Sequence, residues 1–412
     1  MANAYTDELP WWSGLAPVAI LALGTFAVAT DAFIVAGLLP SMADALRVSV
    51  AAAGQSVTIF AITYAVLAPI LATIAAKTSR RTLLIGALSV IGIANLGAAL
   101  ASTFAVLLIF RVIAATGAAL YTPTAGATAA LIVRPSVRAR ALAIVVGGLT
   151  AATILSVPLG HYINIWAGWR PTLGLVAALC FTIGFTLFRT LPITASGASV
   201  PLRTRLAVLR QAGVMKVLPL TVLGMAAGYT PYAYSIPVLR GAGMSAAATG
   251  TALFLYGLGA ALGSIGCGYV TDRWGATRSL GITYSVMTVA LGTLAWLARQ
   301  DAARPEAVIE VLVGLWGAST WSQTPPQQHR LVGTAPQGAA LAISLNASAI
   351  YLGIGSGTAL GGAALAAGIP MVYGIGACLA ALALLYLRVT APRPQGRSFP
   401  LPRRPPSREG MD

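Results

Sequence analysis

The chain has 412 residues, of which 57% are hydrophobic and only 9% charged, and its mean hydropathy is +0.82. That balance excludes a soluble domain, whose core cannot hide so much apolar surface, and calls for membrane spans of about 20 residues each. The 26 Lys and Arg outnumber the 10 Asp and Glu, for a net charge of +16. Because the basic residues fall between apolar runs, they suit the anionic lipid of a cytoplasmic leaflet and not nucleic acid.

In lipid only helices and closed barrels satisfy their backbone. The apolar runs here are continuous and lack a period of two, so the predicted fold class is all-α integral membrane. Twelve spans are expected, at 15–40, 50–76, 82–101, 104–133, 140–165, 170–190, 214–238, 247–271, 277–298, 306–325, 338–363 and 368–389. Before the first, Asp7 and Glu8 stand without a basic residue, unlike the start of a cleaved signal, so that run reads as a retained helix.

If the N-terminus is cytoplasmic, the inner loops hold most of the positive charge, including Lys77, Arg80, Arg81, Arg134, Arg138, Arg140, Arg203, Arg205, Arg210, Arg273, Arg278 and Arg330. The outer loops hold only Arg47, Arg170, Arg240, Arg299 and Arg304. The positive-inside rule then places both termini in the cytoplasm and the protein in the plasma (inner) membrane. The halves resemble each other. The stretch Ser49 to Gly54 recurs as Ser245 to Gly250, Pro40 matches Pro237, and Arg80 and Arg81 match Arg278. The expected organisation is an N-terminal six-helix bundle (1–190), a cytoplasmic linker (191–213), a C-terminal six-helix bundle (214–390) and a basic Pro/Arg-rich tail (391–412).

One carboxylate, Asp31, interrupts the first apolar run. An acid there costs about 2.5–3.5 kcal/mol on insertion scales. It lies about 13 Å from the outer end of its helix near Pro40, and Arg111 lies about 10 Å into the fourth span. An acid and a base at matching depth are expected to pair, either as a static packing contact or as a proton site. The positions matching them in the second half are Gly228 and the stretch Val311 to Val313, all uncharged, so the chemistry is one-sided.

Candidates for a substrate-binding face are Gln55, Tyr64 and Tyr121 in the first half, and Tyr229, Tyr232, Tyr234, Trp316, Trp321, Gln323, Asn346, Ser348 and Tyr351 in the second. Aromatics with a few amides suit a sugar or an amphipathic organic molecule. The competing reading is that the Tyr and Trp residues form interfacial belts and that Asn and Ser glue helices together. His161 and His329, near span ends, read as interfacial or loop residues. Cys180, Cys267 and Cys378 show no metal or disulfide spacing. There is no phosphate-binding Gly-x-x-x-x-Gly-Lys run, so ATP is not the expected power source, and the scattered acids form no enzyme-like cluster.

Four stretches carry a family resemblance: Thr30 to Pro40, Arg111 to Gly117, Gly268 to Gly275 and Ser344 to Gly353. Through them the chain resembles the major facilitator superfamily, in particular the twelve-span drug/proton antiporter branch that includes bacterial sugar and arabinose efflux permeases. The resemblance implies a proton-coupled efflux antiporter of a drug, sugar or related solute, working by alternating access of two lobes. A proton-linked importer or a facilitator of the same fold is the alternative, and an integral-membrane enzyme a remote one. It implies no cofactor beyond the proton motive force, partners limited to a small-molecule substrate, protons and anionic lipids, and a monomer. Asp31 and Arg111 would couple the proton, while Arg80, Arg81, Asp272, Arg273, Gly275, Pro158 and Gly160 would serve gating. The chain departs from the family pattern twice. The first-half loop, Ala75 to Arg81, has no acid, and the fifth-span motif carries Ser156 and Val157 where glycine is usual.

Overall fold

A computed structural model describes residues 15–192, 201–300, 305–335 and 338–391. Most of the tail, the central part of the linker, and Asp7, Glu8, Asp301 and Arg304 lie outside the described residues. In chain order the helices are α1 (Leu15–Ile34), α2 (Leu39–Leu46), α3 (Val50–Ile74), α4 (Arg80–Ala99), α5 (Phe104–Leu131), α6 (Arg138–Ala167), α7 (Trp169–Thr190), α8 (Leu202–Ala207), α9 (Ala212–Tyr232), α10 (Ser235–Gly241), α11 (Ala246–Trp274), α12 (Ala276–Leu297), α13 (Glu306–Ser322), α14 (Thr324–Thr334), α15 (Ala339–Leu365) and α16 (Ile369–Thr390). The fold is all-α, as composition required.

Among the described residues, 11 helices are long and apolar enough to cross a membrane. The remaining expected span begins as α13, only 17 residues long. Its path breaks at Gln323 because Pro325 and Pro326 follow. They sit in the first turn of α14, where a missing N–H is tolerated.

The sequence repeat has a physical counterpart at the start of α3 and α11. Ser49 Oγ accepts the Ala52 N–H at 3.1 Å, and Ser245 Oγ accepts the Ala248 N–H at 3.2 Å. The repeated serine is thus an N-cap. Two helix pairs, α6/α7 and α11/α12, join through a single glycine at positive φ, Gly168 (+85°) and Gly275 (+83°), and the three-residue turn between α15 and α16 ends on a third, Gly368 (+100°). Only glycine adopts that conformation without strain. The α3/α4 joint lacks such a glycine. It passes through Lys77 and Thr78 instead, with Ser79 capping α4, and this is where the first-half loop departed from the family pattern.

Small residues set the helix spacing, as expected where lipid supplies no hydrophobic drive between helices. A Cβ on Gly148 of α6 would stand 2.1 Å from the Ala22 carbonyl oxygen of α1, and one on Gly160 would stand 2.4 Å from Ile34. In the second half, Gly317 of α13 meets the Tyr256 carbonyl at 2.1 Å, and Gly361 of α15 meets the Thr230 carbonyl at 2.0 Å by the same measure.

The halves touch through α3 with α15 and α6 with α11. Gly355 lies against Ala61 and Ile62, and Gly257 against the Ile154 backbone. Tyr234, just beyond α9, donates to the carbonyls of Ala51 at 3.4 Å and Thr358 at 3.2 Å, bridging both. These contacts lie towards the start of α3 and the end of α15, away from Lys77, Arg80 and Arg81. At the basic end a cavity separates α3, α4 and α5 from Ser344 of α15. Arg205 of α8 lines that cavity too.

Candidate proton and substrate site

Asp31 sits one turn before α1 tightens into a 3-10 turn at Val35–Gly37, and it is fully buried. Arg111 of α5, 1% exposed, places Nη1 2.9 Å from Asp31 Oδ1. Its Nη1 and Nη2 also reach the Asp31 carbonyl oxygen at 3.4 Å, and its Nε reaches the Ser56 carbonyl of α3 at 3.4 Å. The guanidinium carbon lies 4.3 Å from the centre of the Phe60 ring, a cation–π contact. Arg111 is therefore held by more than the carboxylate. Asp31 Oδ2 is buried without a hydrogen-bond partner. Beside it, Ser156 donates to the Thr30 hydroxyl at 3.0 Å, so the residue that replaces a family glycine ties α6 to the turn carrying Asp31.

From Phe60 an aromatic path crosses between the halves. Phe60 and Tyr351 have centroids 6.4 Å apart, and Tyr351 stacks on Tyr64 at 3.7 Å with the planes 21° apart. Phe33 of α1 meets Trp321 of α13 edge-on at 6.1 Å. Phe33, Val57, Phe60, Tyr229, Tyr232 and Tyr351 enclose a slot of about 10 Å³. That is room for one water at most, so the slot is collapsed in this state. Behind it in the second half, Tyr232 packs on Tyr229 (4.9 Å) and Tyr256 (4.6 Å), and Trp316 on Tyr256 (4.8 Å) and Tyr373 (6.3 Å). Tyr256 and Tyr373 were not among the residues singled out from sequence. Each is a lone tyrosine in an apolar run, indistinguishable there from an interfacial anchor.

The one-sidedness expected from the repeat takes a concrete form. The Trp316 indole donates to the carbonyl of Gly228, the mate of Asp31, at 3.0 Å. At that position the second half therefore carries a neutral hydrogen bond where the first half carries an ion pair.

Several expected site residues lie elsewhere. Tyr121 does not face the interface between the halves: its hydroxyl donates to the Leu21 carbonyl at 3.1 Å, and its ring fills the space left by Gly24. It locks α5 to α1. Asn346, 1% exposed, accepts the Thr221 hydroxyl at 2.9 Å and joins α15 to α9. Gln323 is buried among second-half partners, accepting the Tyr284 hydroxyl at 3.1 Å and donating to the Thr320 carbonyl at 2.8 Å. His161, in the last third of α6, is 4% exposed, with neither ring nitrogen hydrogen-bonded. Gln55 does lie at the junction, beside Gly362, and donates to the Ala51 carbonyl at 3.3 Å.

Among the gating candidates, Arg81 binds the Phe188 carbonyl and stacks on that ring at 5.0 Å, so it braces α4 against α7 within one half. Arg80 lines the basic-face cavity. Asp272 and Arg273 are exposed beside the Gly275 joint. Pro158 and Gly160 lie in the buried contact of α6 with α1.

Removing the Tyr121 hydroxyl as Tyr121→Phe is expected to lower stability by about 1 kcal/mol, the net worth of one hydrogen bond, and to leave the transport rate per folded molecule unchanged. Thermal unfolding read alongside transport checks it. A transport loss at unchanged stability would restore Tyr121 to the substrate path.

Eleven helices apolar and long enough to cross a membrane, among the described residues, with a buried ion pair beside an aromatic slot, suit a membrane transporter. The chain belongs to the Major Facilitator Superfamily, whose family model matches residues 21–340. It is 32% identical over 378 residues to the inner membrane transport protein YdhP of Escherichia coli K12, covering 91% of this chain and 96% of that one. It is 31% identical over 346 residues to a chloramphenicol resistance protein of Streptomyces lividans, covering 83% and 87%. Its fold matches the crystal structure of a D-xylose-proton symporter with a TM-score of 0.74 at 17% identity, covering 91% of this chain and 97% of that one.

Proposed function

We propose that the protein is a proton-coupled secondary transporter that exports a small organic solute by alternating access of its two halves. The observation that carries this reading is Asp31, buried, with Oδ1 held by Arg111 and Oδ2 without a partner. Oδ2 has room for a proton. Protonation removes the attraction that holds the pair, while Arg111 keeps the carbonyls of Asp31 and Ser56 and the Phe60 face, which partly offset the loss of its counter-charge. Phe60 touches Tyr351 of the other half, which gives the change a route across the interface.

The aromatic slot suits a neutral, planar or amphipathic solute. The relative described as a chloramphenicol resistance protein makes chloramphenicol the first compound to try. By the positive-inside rule the basic face is cytoplasmic, with both termini on that side of the plasma membrane, and export would load the solute from that face. The working unit is a monomer, and the proton gradient alone drives it. Asp272 and Arg273, exposed now, are available to engage the first half when the basic face closes.

The test reconstitutes the protein in liposomes containing a pH-sensitive dye and adds chloramphenicol, lipophilic dyes and arabinose-like sugars in turn. One of them is expected to drive proton movement in the wild type, falling by about tenfold or more in Asp31→Asn, as for loss of an essential proton carrier. Unchanged proton flux in Asp31→Asn would remove Asp31 from the coupling. Solute movement without protons in the wild type would replace the antiporter by a facilitator.

A further inference from the structure

Tyr64 of α3 and Tyr351 of α15 lie face to face where the halves meet, with ring centroids 3.7 Å apart and planes 21° apart. The rings around them meet differently. Phe33 meets Trp321 edge-on at 6.1 Å, Phe60 meets Tyr351 tilted at 6.4 Å, and Tyr232 meets Tyr256 tilted at 4.6 Å. An aromatic ring is negative over its face and positive at its edge, so two rings prefer to meet offset or edge-on, about 4.5–7 Å apart. Phenol rings are electron-rich, and face to face they set negative on negative. The Tyr64–Tyr351 contact fills space and excludes water, but its own electrostatics oppose it. A ring stripped of electron density by nitro, carbonyl or ring-nitrogen groups has a positive face, and it would gain on both sides by lying between the two.

The surroundings suit such an insertion. Tyr64 belongs to the first half and Tyr351 to the second, so movement of one half against the other parts them. Two stacking contacts of about 3.5 Å each need the tyrosine rings about 7 Å apart, an opening of roughly 3 Å. Ser348 stands one turn before Tyr351 on the same side of α15, and its hydroxyl oxygen is buried without a hydrogen-bond partner. It is placed to meet a polar substituent at the edge of an inserted ring. Phe60, which carries the Arg111 guanidinium over its ring, also touches Tyr351, so parting the two tyrosines alters the surroundings of the Asp31–Arg111 pair.

We propose that Tyr64 and Tyr351 form a clamp that grips one flat, electron-poor aromatic ring of the solute, each half supplying one wall. In the collapsed slot the two tyrosines stack on each other in place of that ring. Selection then follows the electron density of the ring as well as its size. The proposal deepens the reading of the slot as the solute site and rests on alternating access of the halves, but not on proton coupling.

Two benzyl alcohols of similar size and opposite character are the probes: 3,5-dinitrobenzyl alcohol, electron-poor, and 3,5-dimethoxybenzyl alcohol, electron-rich. Each is titrated calorimetrically into the full-length protein in an uncharged detergent, with the heat of the detergent alone subtracted. The dinitro compound is expected to bind about tenfold more tightly, as for two favourable ring contacts in place of two unfavourable ones. Its complex is also expected to show a saturable donor–acceptor absorption band at longer wavelength than either partner alone. Tyr64→Leu and Tyr351→Leu each remove one wall, and the preference is expected to fall to about threefold or less. Tyr64→Phe and Tyr351→Phe keep both walls and the preference, but benzene is a poorer donor than phenol, so the band is expected to move to shorter wavelength. Tyr269→Leu, 75% exposed and outside the slot, is expected to behave like the wild type. Thermal unfolding without probe confirms that each variant is folded. Should a leucine variant fail to fold, the band in the phenylalanine variants decides. Equal affinities or no band in the wild type, an unchanged preference in the leucine variants, or an unmoved band in the phenylalanine variants overturns the clamp. Ring preference without proton flux in the liposome assay would overturn the coupling and leave the clamp standing. Proton-coupled solute movement without ring preference would do the reverse.

Discussion

Arg111→Leu is expected to be the most destabilising charge change in the protein, at about 3–5 kcal/mol, the range for breaking a buried pair from one side. The substitution removes the 2.9 Å contact to Oδ1 and leaves a carboxylate with both oxygens unpartnered at a fully buried position. It also strips the Phe60 ring of its cation and the Asp31 and Ser56 carbonyls of their donor. The double variant Asp31→Asn with Arg111→Gln, neutral on both sides, is expected to recover most of the loss while remaining inactive in proton transport. Thermal unfolding in detergent, compared across wild type, single and double variants, reads the coupling directly. An Arg111→Leu protein as stable as the wild type would mean that the pair is not what holds α1 against α5.

The second large effect is steric. Gly148→Val is expected to cost more than the roughly 1–3 kcal/mol typical of overpacking, because the atom its Cβ would meet, the Ala22 carbonyl oxygen at 2.1 Å, is backbone. A flexible side chain can swing away, but here a whole helix has to move. That helix is α1, so the displacement also shifts Asp31 relative to Arg111, and transport is expected to fall with stability. The adjacent Gly147→Val is the control, since a Cβ there meets nothing within 4 Å. Equal unfolding temperatures for the two variants would rule out close α1–α6 contact as the reason for the glycine.

The features legible in the sequence were those that carry an energetic penalty. An acid in an apolar run is conspicuous, so Asp31 was found, and depth alone named its partner. The repeated Ser49 and Ser245 were visible and proved to be helix caps. What stayed hidden is helix rotation. A tyrosine or an asparagine in a span of nearly uniform apolar character gives no signal of the direction it faces. Tyr121 and Asn346 therefore read as cavity residues although they fasten helices together, and Tyr256 and Tyr373 were not singled out at all. The end of α13 was legible in Pro325 and Pro326, where the expected span also stops.

The indole of Trp316 on the Gly228 carbonyl has a bearing on how such a chain changes over time. One half carries a buried ionisable pair, Asp31 with Arg111, and the other a neutral hydrogen bond at Gly228. The neutral copy tolerates remodelling of its aromatic wall without disturbing the ion pair. Divergence in the choice of solute is therefore expected to accumulate in α9, α11 and α13, while α1 and α5 stay under tighter selection.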